Sequence, residues 1–246
     1  MEQPDNVVID IKGLCKSFGS NQVLRGIDLT IKRSENVVVL GKSGSGKSVL
    51  IKCIVGLVEA DEGSITVLDS NITELDNTEL NEIRLKMGFL FQNAALYDSM
   101  TVRENLEFPL RRTFTELSEQ EREERIITAL QEVGLEEAID KMPSELSGGM
   151  RKRVGLARSL ILVPEIMLYD EPTTGLDTVT SREISELILA MQKKNKTTSI
   201  IITHDLACAK LTSDKVVVFK DGVITAEGTY AELEKSEDKW VKSFFN

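Results

Sequence analysis

The sequence has few aromatic residues, one histidine and no excess of basic charge, and each shortage narrows what the chain can do. Aromatics make up 5% of the 246 residues and the formal net charge is −10. A sequence-independent nucleic-acid binder wants a basic face and stacking rings, so nucleic acid is not expected as a partner. No apolar run approaches the roughly 20 residues that a bilayer-spanning helix needs. The opening stretch Met1-Glu2-Gln3-Pro4-Asp5 is acidic and polar, unlike a secretory signal. Three cysteines (Cys15, Cys53, Cys208) are odd in number and lack metal-ligand spacing, which reads as reduced thiols in a cytosolic protein. The rest is ordinary for a globular chain: 41% apolar and 28% charged, long enough for one domain with a sizeable core. No internal repeat or low-complexity segment interrupts it.

What is present begins with Gly41-Lys42-Ser43-Gly44-Ser45-Gly46-Lys47-Ser48. It fits G-x-x-x-x-G-K-S/T, the phosphate-binding loop. Its glycines let the backbone turn tightly and bring N–H groups against a polyphosphate. Lys47 suits the β- and γ-phosphates, and the Ser48 hydroxyl is placed to hold Mg²⁺. Val37 to Leu40 reads as a buried strand before the loop, and Val49 to Val58 as an apolar helix after it. A chance Gly/Ser-rich surface loop would lack those flanks.

Around this loop the pattern alternates strands and helices. Val7, Ile9 and Ile11, then Ile27, Leu29 and Ile31, read as half-buried strands joined through Gly19-Ser20-Asn21. Phe18, just before the turn, could stack on a flat base (worth about 1–3 kcal/mol in single-strand binders) or be a core residue at a strand end. Ile65–Leu68 reads as a strand, and Asp76 or Asn77 as a helix cap. The strand Met87 to Phe91 ends at Gln92, which could reach Mg²⁺ or the attacking water. Ala94, Ala95, Leu96, Tyr97 and Met100 form an apolar loop, either core packing or a docking surface. Thr101-x-x-Glu104 and Ser118-x-x-Glu121 are capping boxes, with Gly134 as the second helix's stop.

Leu146-Ser147-Gly148-Gly149-Met150 opens a helix with Met150, Val154, Ala157 and Ile161 on one face, so its tip is a second anion site. One chain need not use both on one ATP; a head-to-tail dimer, each copy lending this stretch to the other's nucleotide, would. The apolar strand Ile166 to Tyr169 ends in Asp170-Glu171, suited to Mg²⁺ binding and to polarising water respectively, or else to a plain turn before Pro172. Asp177 is placed to cap the next helix. Ser199 to Thr203 ends at His204, whose place at a strand end favours a γ-phosphate role. Val216–Phe219, Asp221-Gly222 and Val223–Ala226 read as a hairpin, Thr229-x-x-Glu232 as a capping box, and Trp240, Val241, Phe244 and Phe245 as a C-terminal apolar patch. Ligand groups at the carboxyl ends of strands describe a mainly parallel α/β sheet.

With these residues in order, the chain resembles the nucleotide-binding subunit of ABC transporters over nearly its whole length. Gly41–Ser48, Gln92, Leu146–Met150, Asp170-Glu171, Asp177 and His204 carry the resemblance. The stretches Met142–Met150, Phe91–Tyr97 and Glu107–Leu110 look like the Mla-type (MlaF-like) subfamily. The chain departs from many ABC ATPases at Val49, Met150 and Thr178, where Thr, Gln and Pro are common. The resemblance implies an α/β P-loop NTPase: a RecA-like core of about 36–58, 86–92 and 160–246, an antiparallel β subdomain of about 5–35 and 60–70, and an inserted helical subdomain of about 93–159 carrying the signature.

The resemblance further implies an ATP hydrolase using ATP and Mg²⁺, with Glu171, His204 and Lys47 catalytic. ATP would be bound by Phe18, the loop residues Gly41, Lys42, Ser43, Gly44, Ser45, Gly46, Lys47 and Ser48, then Val49 through its backbone alone, and Gln92. Mg²⁺ would be held by Ser48, Gln92 and Asp170. The partner copy of a homodimer would supply Ser147, Gly148, Gly149 and Asp177. Ala95, Leu96, Tyr97 and Met100 would dock an MlaE-like permease. An MCE-domain (MlaD-like) protein would complete a phospholipid transporter, with this subunit cytoplasmic and peripheral on the inner membrane. An ATPase for amino-acid import or lipoprotein release would carry the same hydrolytic motifs. A P-loop kinase leaves the Ser147–Gly149 tip and the Glu171/His204 pair unexplained.

Overall fold

The computed structural model describes residues 6–245. The polar stretch Met1 to Asp5, where no signal peptide is expected, lies outside them. Two sheets frame the molecule. The first has the order β2-β1-β4-β5 and is antiparallel, built from β1 (Val7–Phe18), β2 (Asn21–Lys32), β4 (Glu62–Val67) and β5 (Ser70–Asn71). Phe18 pairs with Asn21 across the turn, and Gly19 takes φ +60° there. The period-2 rows predicted from sequence face inward: Ile9, Ile11, Ile27, Leu29 and Ile31 are buried, with Ile65 and Val67.

The second sheet has the order β10-β9-β3-β8-β7-β6. Its strands β3 (Asn36–Gly41), β6 (Met87–Leu90), β7 (Ile166–Asp170), β8 (Thr198–Thr203) and β9 (Lys215–Lys220) run parallel, and only β10 (Val223–Gly228) returns antiparallel. These strands are continuous apolar runs because both faces are covered. Val37, Val39, Leu168, Ile200 and Ile202 pack toward the first sheet and α1 (Lys47–Ile54). Their neighbours Val38, Leu40, Tyr169 and Ile201 pack on the opposite face, with Ile184 and Ile188 of α6 (Thr178–Asn195) and Ala209 of α7 (Leu206–Thr212). The C-terminal patch lies on that same face: Val241 is buried, and Trp240, Phe244 and Phe245 of α9 (Lys239–Phe245) pack against the cluster, as does Tyr230 of α8 (Tyr230–Glu234).

A third cluster joins α3 (Val102–Thr113), α4 (Glu119–Val133) and α5 (Gly148–Leu160). All three predicted capping boxes form, Thr101 with Glu104, Ser118 with Glu121 and Thr229 with Glu232. Gly134 closes α4 at φ +66°, and Asp76, not Asn77, caps α2 (Asn77–Leu85). Two expectations shift. α1 ends at Ile54 rather than Val58, because Gly56 turns left-handed and the Leu57 N–H folds back onto the Lys52 carbonyl at 2.8 Å. β6 stops at Leu90, one residue short of Phe91.

The parallel register sets up the site. Leu40 pairs with Thr203, Asp170 with Ile202 and Leu90 with Tyr169. Strands in register end level, so Gly41, Gln92, Glu171 and His204 emerge along one edge, where open α/β sheets bind ligands.

Candidate functional site

The loop after β3 is a cradle that only glycine permits at two points. Gly46 has φ +107°, and a Cβ there would meet the Val23 carbonyl at 2.8 Å; on Gly41 it would meet the Phe219 carbonyl at 2.7 Å. α1 begins at Lys47, so its free N–H groups point into the loop. The Lys47 side chain is buried beneath it. Its Nζ donates to the carbonyls of Gly41 at 2.7 Å and Lys42 at 3.0 Å. Burial pulls the ammonium's pKa down, opposed by the charges of Glu171 and Asp170. Ser45 Oγ is buried with no hydrogen-bond partner among the described residues.

A cavity of about 540 Å³ opens over this loop. Lys42, Ser43, Gly44, Gly46, Lys47, Ser48 and Val49 line it on one side, Gln92, Glu171, Thr174 and His204 on the other, and Val23 at its edge. The donor set fits a polyphosphate: backbone N–H groups, an ammonium and an orphaned hydroxyl. It also fits Mg²⁺. Ser48 Oγ donates to Asp170 Oδ1 at 2.9 Å, so a hydroxyl and a carboxylate converge on one point. No cluster of three or more His, Cys, Asp or Glu side chains suited to a metal occurs among the described residues. An ion here would complete its shell with phosphate oxygens and water, as Mg²⁺ commonly does. A larger hollow of about 710 Å³ lies between the starts of α6 and α7, but of these groups only Thr174 and His204 reach it.

Glu171 follows β7 in a left-handed backbone, φ +51°. Its N–H is held by the Ile202 carbonyl at 2.9 Å. Its Oε2 lies 2.7 Å from His204 Nδ1 and accepts from Thr174 Oγ1 at 3.0 Å. Thr173 Oγ1 donates to Asp205 at 3.1 Å, tying the ends of β7 and β8 together. The carboxylate is thus aimed by two polar neighbours at the cavity that holds the loop.

Other sequence candidates lie apart from this cavity. Phe18 is exposed at the end of β1, 5.5 Å from Lys16 Nζ, and is not among the lining residues. Ser147 caps α5, its Oγ accepting from the Met150 N–H at 3.2 Å. Gly148 and Gly149 pack beside Leu176 and Thr180; a Cβ on Gly149 would meet Thr180 Cγ2 at 2.6 Å. Asp177 caps α6, and its carboxylate is held below its usual pKa by the Thr180 hydroxyl and by backbone N–H groups. None of these five lines the cavity over its own chain's phosphate loop.

The loop beyond Gln92 divides. Ala95 and Tyr97 are exposed, whereas Leu96 and Met100 are half-buried and Leu96 packs against the helical cluster. Asn105, fully buried, holds the loop's shape: its Oδ1 accepts from the Tyr97 N–H at 2.8 Å, and its Nδ2 donates to the carbonyls of Tyr97, Met100 and Thr101. Arg158 Nη2 donates to the Ala94 carbonyl at 3.0 Å. Sequence reading missed Asn105 and Val23. For Asn105 a signal existed, a polar residue on the apolar face of Val102 and Leu106; for Val23 there was none.

The profile of the ABC transporter family matches residues 24–174, from β2 through the phosphate loop and the signature stretch to Glu171. The chain belongs to the ABC transporter family. It is an ATP-binding cassette that binds ATP, with Mg²⁺, and hydrolyses it. Cassettes of this family dimerise and pair with membrane permease subunits. Among solved structures, one cassette in a dimeric, post-hydrolysis state with ADP and Pi bound superposes at a TM-score of 0.84 with 33% identity, covering 90% of this chain and 98% of that one. Among curated relatives, the probable ribonucleotide transport ATP-binding protein mkl of Mycobacterium leprae is 40% identical over 99% of this chain and 70% of its own length. The intermembrane phospholipid transport system ATP-binding protein MlaF of Haemophilus influenzae is 35% identical over 96% of this chain and 89% of its own length. No helix of the described residues is long and apolar enough to cross a membrane.

Proposed function

We propose that this cassette drives an Mla-type phospholipid transporter, docked at the inner face of the membrane on an MlaE-like permease that also carries an MlaD-like MCE-domain protein. The reading is supported by the MlaF relative and by the stretches Phe91–Tyr97, Glu107–Leu110 and Met142–Met150. The observation that carries it is the Gln92–Thr101 segment, which leaves the nucleotide cavity and presents Ala95 and Tyr97 on a loop shaped by Asn105. On this reading the RecA-like core, the N-terminal β unit and the helical unit keep the boundaries given above, with the Gln92 segment at the joint of core and helices.

In the proposed cycle two copies close on two ATP molecules. Each site combines the phosphate loop, Gln92, Asp170, Glu171 and His204 of one copy with Ser147, Gly148, Gly149 and Asp177 of the other. The exposed Phe18 ring is free to stack on the base. Lys47 and the loop N–H groups balance phosphate charge. Ser48 and Asp170 would hold Mg²⁺ with help from Gln92, and the ion would supply charge stabilisation to the β- and γ-phosphates. Glu171 accepts a proton from the attacking water while His204 and Thr174 fix the carboxylate's direction. Positioning and electrostatics account for most phosphoryl-transfer catalysis. Release after hydrolysis would reopen the pair and move the permease through the Tyr97 loop.

A second reading, the same ATPase with another cargo, is favoured by the mycobacterial relative at 40% identity. Mass spectrometry of the affinity-purified membrane complex separates the two. Recovery of an MlaE-like permease, an MCE-domain protein and co-purified phospholipid is expected. A permease of another kind without the MCE-domain protein removes the lipid assignment and leaves the ATPase untouched.

A further inference from the structure

We propose that Lys152 is a positioning residue for ATP hydrolysis, its ammonium clamping the backbone carbonyls of Gln92 and Glu171 together and so fixing the catalytic carboxylate relative to the helix that starts at Ser147. The inference rests on the reading of Glu171 as the base.

Lys152 lies in α5, five residues beyond Ser147. Its side chain is buried, 5% exposed, which is rare for lysine. The Nζ donates to the Gln92 carbonyl at 2.5 Å and to the Glu171 carbonyl at 3.1 Å. Those two carbonyls leave the ends of neighbouring strands β6 and β7. Among the described residues no carboxylate lies within ion-pair distance of it. Burial accordingly draws its pKa down to about 8, against the raising influence of Glu171 and Asp170. A buried cation without a paired carboxylate is a poor stabiliser, and an apolar residue of similar volume would serve packing better. The placement makes sense as geometry for the two carbonyls.

The geometry at Glu171 needs such a hold. A non-glycine residue at φ +51° is uncommon and persists where its surroundings over-determine it. Four tethers do so: the Ile202 carbonyl on its N–H, His204 and Thr174 on its side chain, and Lys152 on its carbonyl. Meanwhile α5 is fastened to β6 and to the Gln92 segment at further points. Arg158 bonds the Ala94 carbonyl, Ser159 Oγ bonds the Phe89 carbonyl at 2.9 Å, and Gly155 lies so close that a Cβ would meet Ala94 Cβ at 2.9 Å. Of these polar links only Lys152 continues to Glu171. It therefore connects the signature helix, the segment leading to the Tyr97 loop, and the strand end that carries the base.

The test is steady-state ATPase of the permease-bound cassette carrying Lys152→Met, alone and with Glu171→Gln. Lys152→Met removes both hydrogen bonds while keeping the length and an apolar stem. The expected result is a kcat lowered at least tenfold, KM for ATP changed less than threefold, and no further loss when Glu171→Gln is already present. Lys152→Gln, which keeps one donor, should recover part of the kcat. A kcat within twofold of wild type overturns the proposal, and so does a loss that multiplies with that of Glu171→Gln. If Lys152→Met does not fold, Lys152→Leu, which also lacks a donor, is judged in the same two backgrounds on the same limits. Normal turnover by Glu171→Gln alone would remove the reading of Glu171 itself; an inert Glu171→Gln beside a fully active Lys152→Met removes only the clamp.

Discussion

The Glu171 carboxylate lies 2.7 Å from His204 Nδ1, two side chains 33 residues apart brought together by the level ends of β7 and β8. A carboxylate held by an imidazole and by the Thr174 hydroxyl has one orientation, and that orientation faces the phosphate loop. Replacing Glu171 with Gln keeps the shape and removes the carboxylate proposed as the base. Turnover should fall on the order of 10²–10⁴-fold, with ATP still bound. His204→Ala leaves that carboxylate but loosens its aim, so its loss should be smaller and fall in kcat more than in KM. Phosphate release and equilibrium nucleotide binding, measured on the same permease-bound samples, check both. Wild-type turnover by Glu171→Gln would discard the assignment.

The groups at strand ends were legible because two local patterns coincide there: an unbroken apolar run, then a polar residue. That logic found Gly41, Gln92, Asp170, Glu171 and His204 without any knowledge of neighbours. It also found the caps at Thr101, Ser118, Asp177 and Thr229, which depend only on residues within the next turn. It failed where a side chain's work depends on distant backbone. Lys152 reaches carbonyls 60 and 19 positions away, and in sequence it is one charge in the run Arg151-Lys152-Arg153. Val23 lines the cavity through the packing of one sheet on the other. The apolar loop read as a single surface is divided because Leu96 turns toward the helical cluster while Tyr97 turns away.

That division changes which substitution isolates docking. Tyr97 is 45% exposed, so Tyr97→Glu should leave the melting temperature within a degree or two of wild type while reducing co-purification with the permease. Leu96→Glu should lower stability as well, since it drives a charge against Val102, Leu106 and their neighbours. Asn105→Leu should act on both, because four hydrogen bonds that shape the loop disappear from a fully buried position. Thermal melts paired with pull-down of the permease separate these outcomes. Undiminished permease recovery with Tyr97→Glu would show that the loop is not the docking surface.

Trp240, the one tryptophan in the chain, reports on the phosphate loop. Its ring lies 4.6 Å from Lys42 Nζ and 4.5 Å from Lys220 Nζ, so the C-terminal helix touches the loop through a cation–π contact. When a polyphosphate draws the Lys42 ammonium toward the cavity, the indole loses one of its two cations. Intrinsic fluorescence should therefore change on titration with MgATP, saturably. Lys42→Met should abolish most of the change while Lys220→Met preserves it. A signal indifferent to Lys42 would break the link between α9 and the loop.

The buried thiols set an alkaline limit on stability. Burial pushes Cys53 and Cys208 up to about 11, from an ordinary thiol value of 9.0. Between those values the unfolded chain releases both protons and the folded chain keeps them. The folded state then binds more protons, so stability is full below about pH 9 and declines as pH rises toward 11. Urea midpoints measured at pH 8 and pH 10 should differ, and the drop should shrink when both residues are alanine. The same burial keeps the two sulfurs from reacting. At pH 8 a thiol reagent should label only the half-exposed Cys15 in the folded protein and all three cysteines in urea. Rapid labelling of three thiols in the native protein at pH 8 would contradict the burial of Cys53 in the cluster under the first sheet and of Cys208 on the inward face of α7.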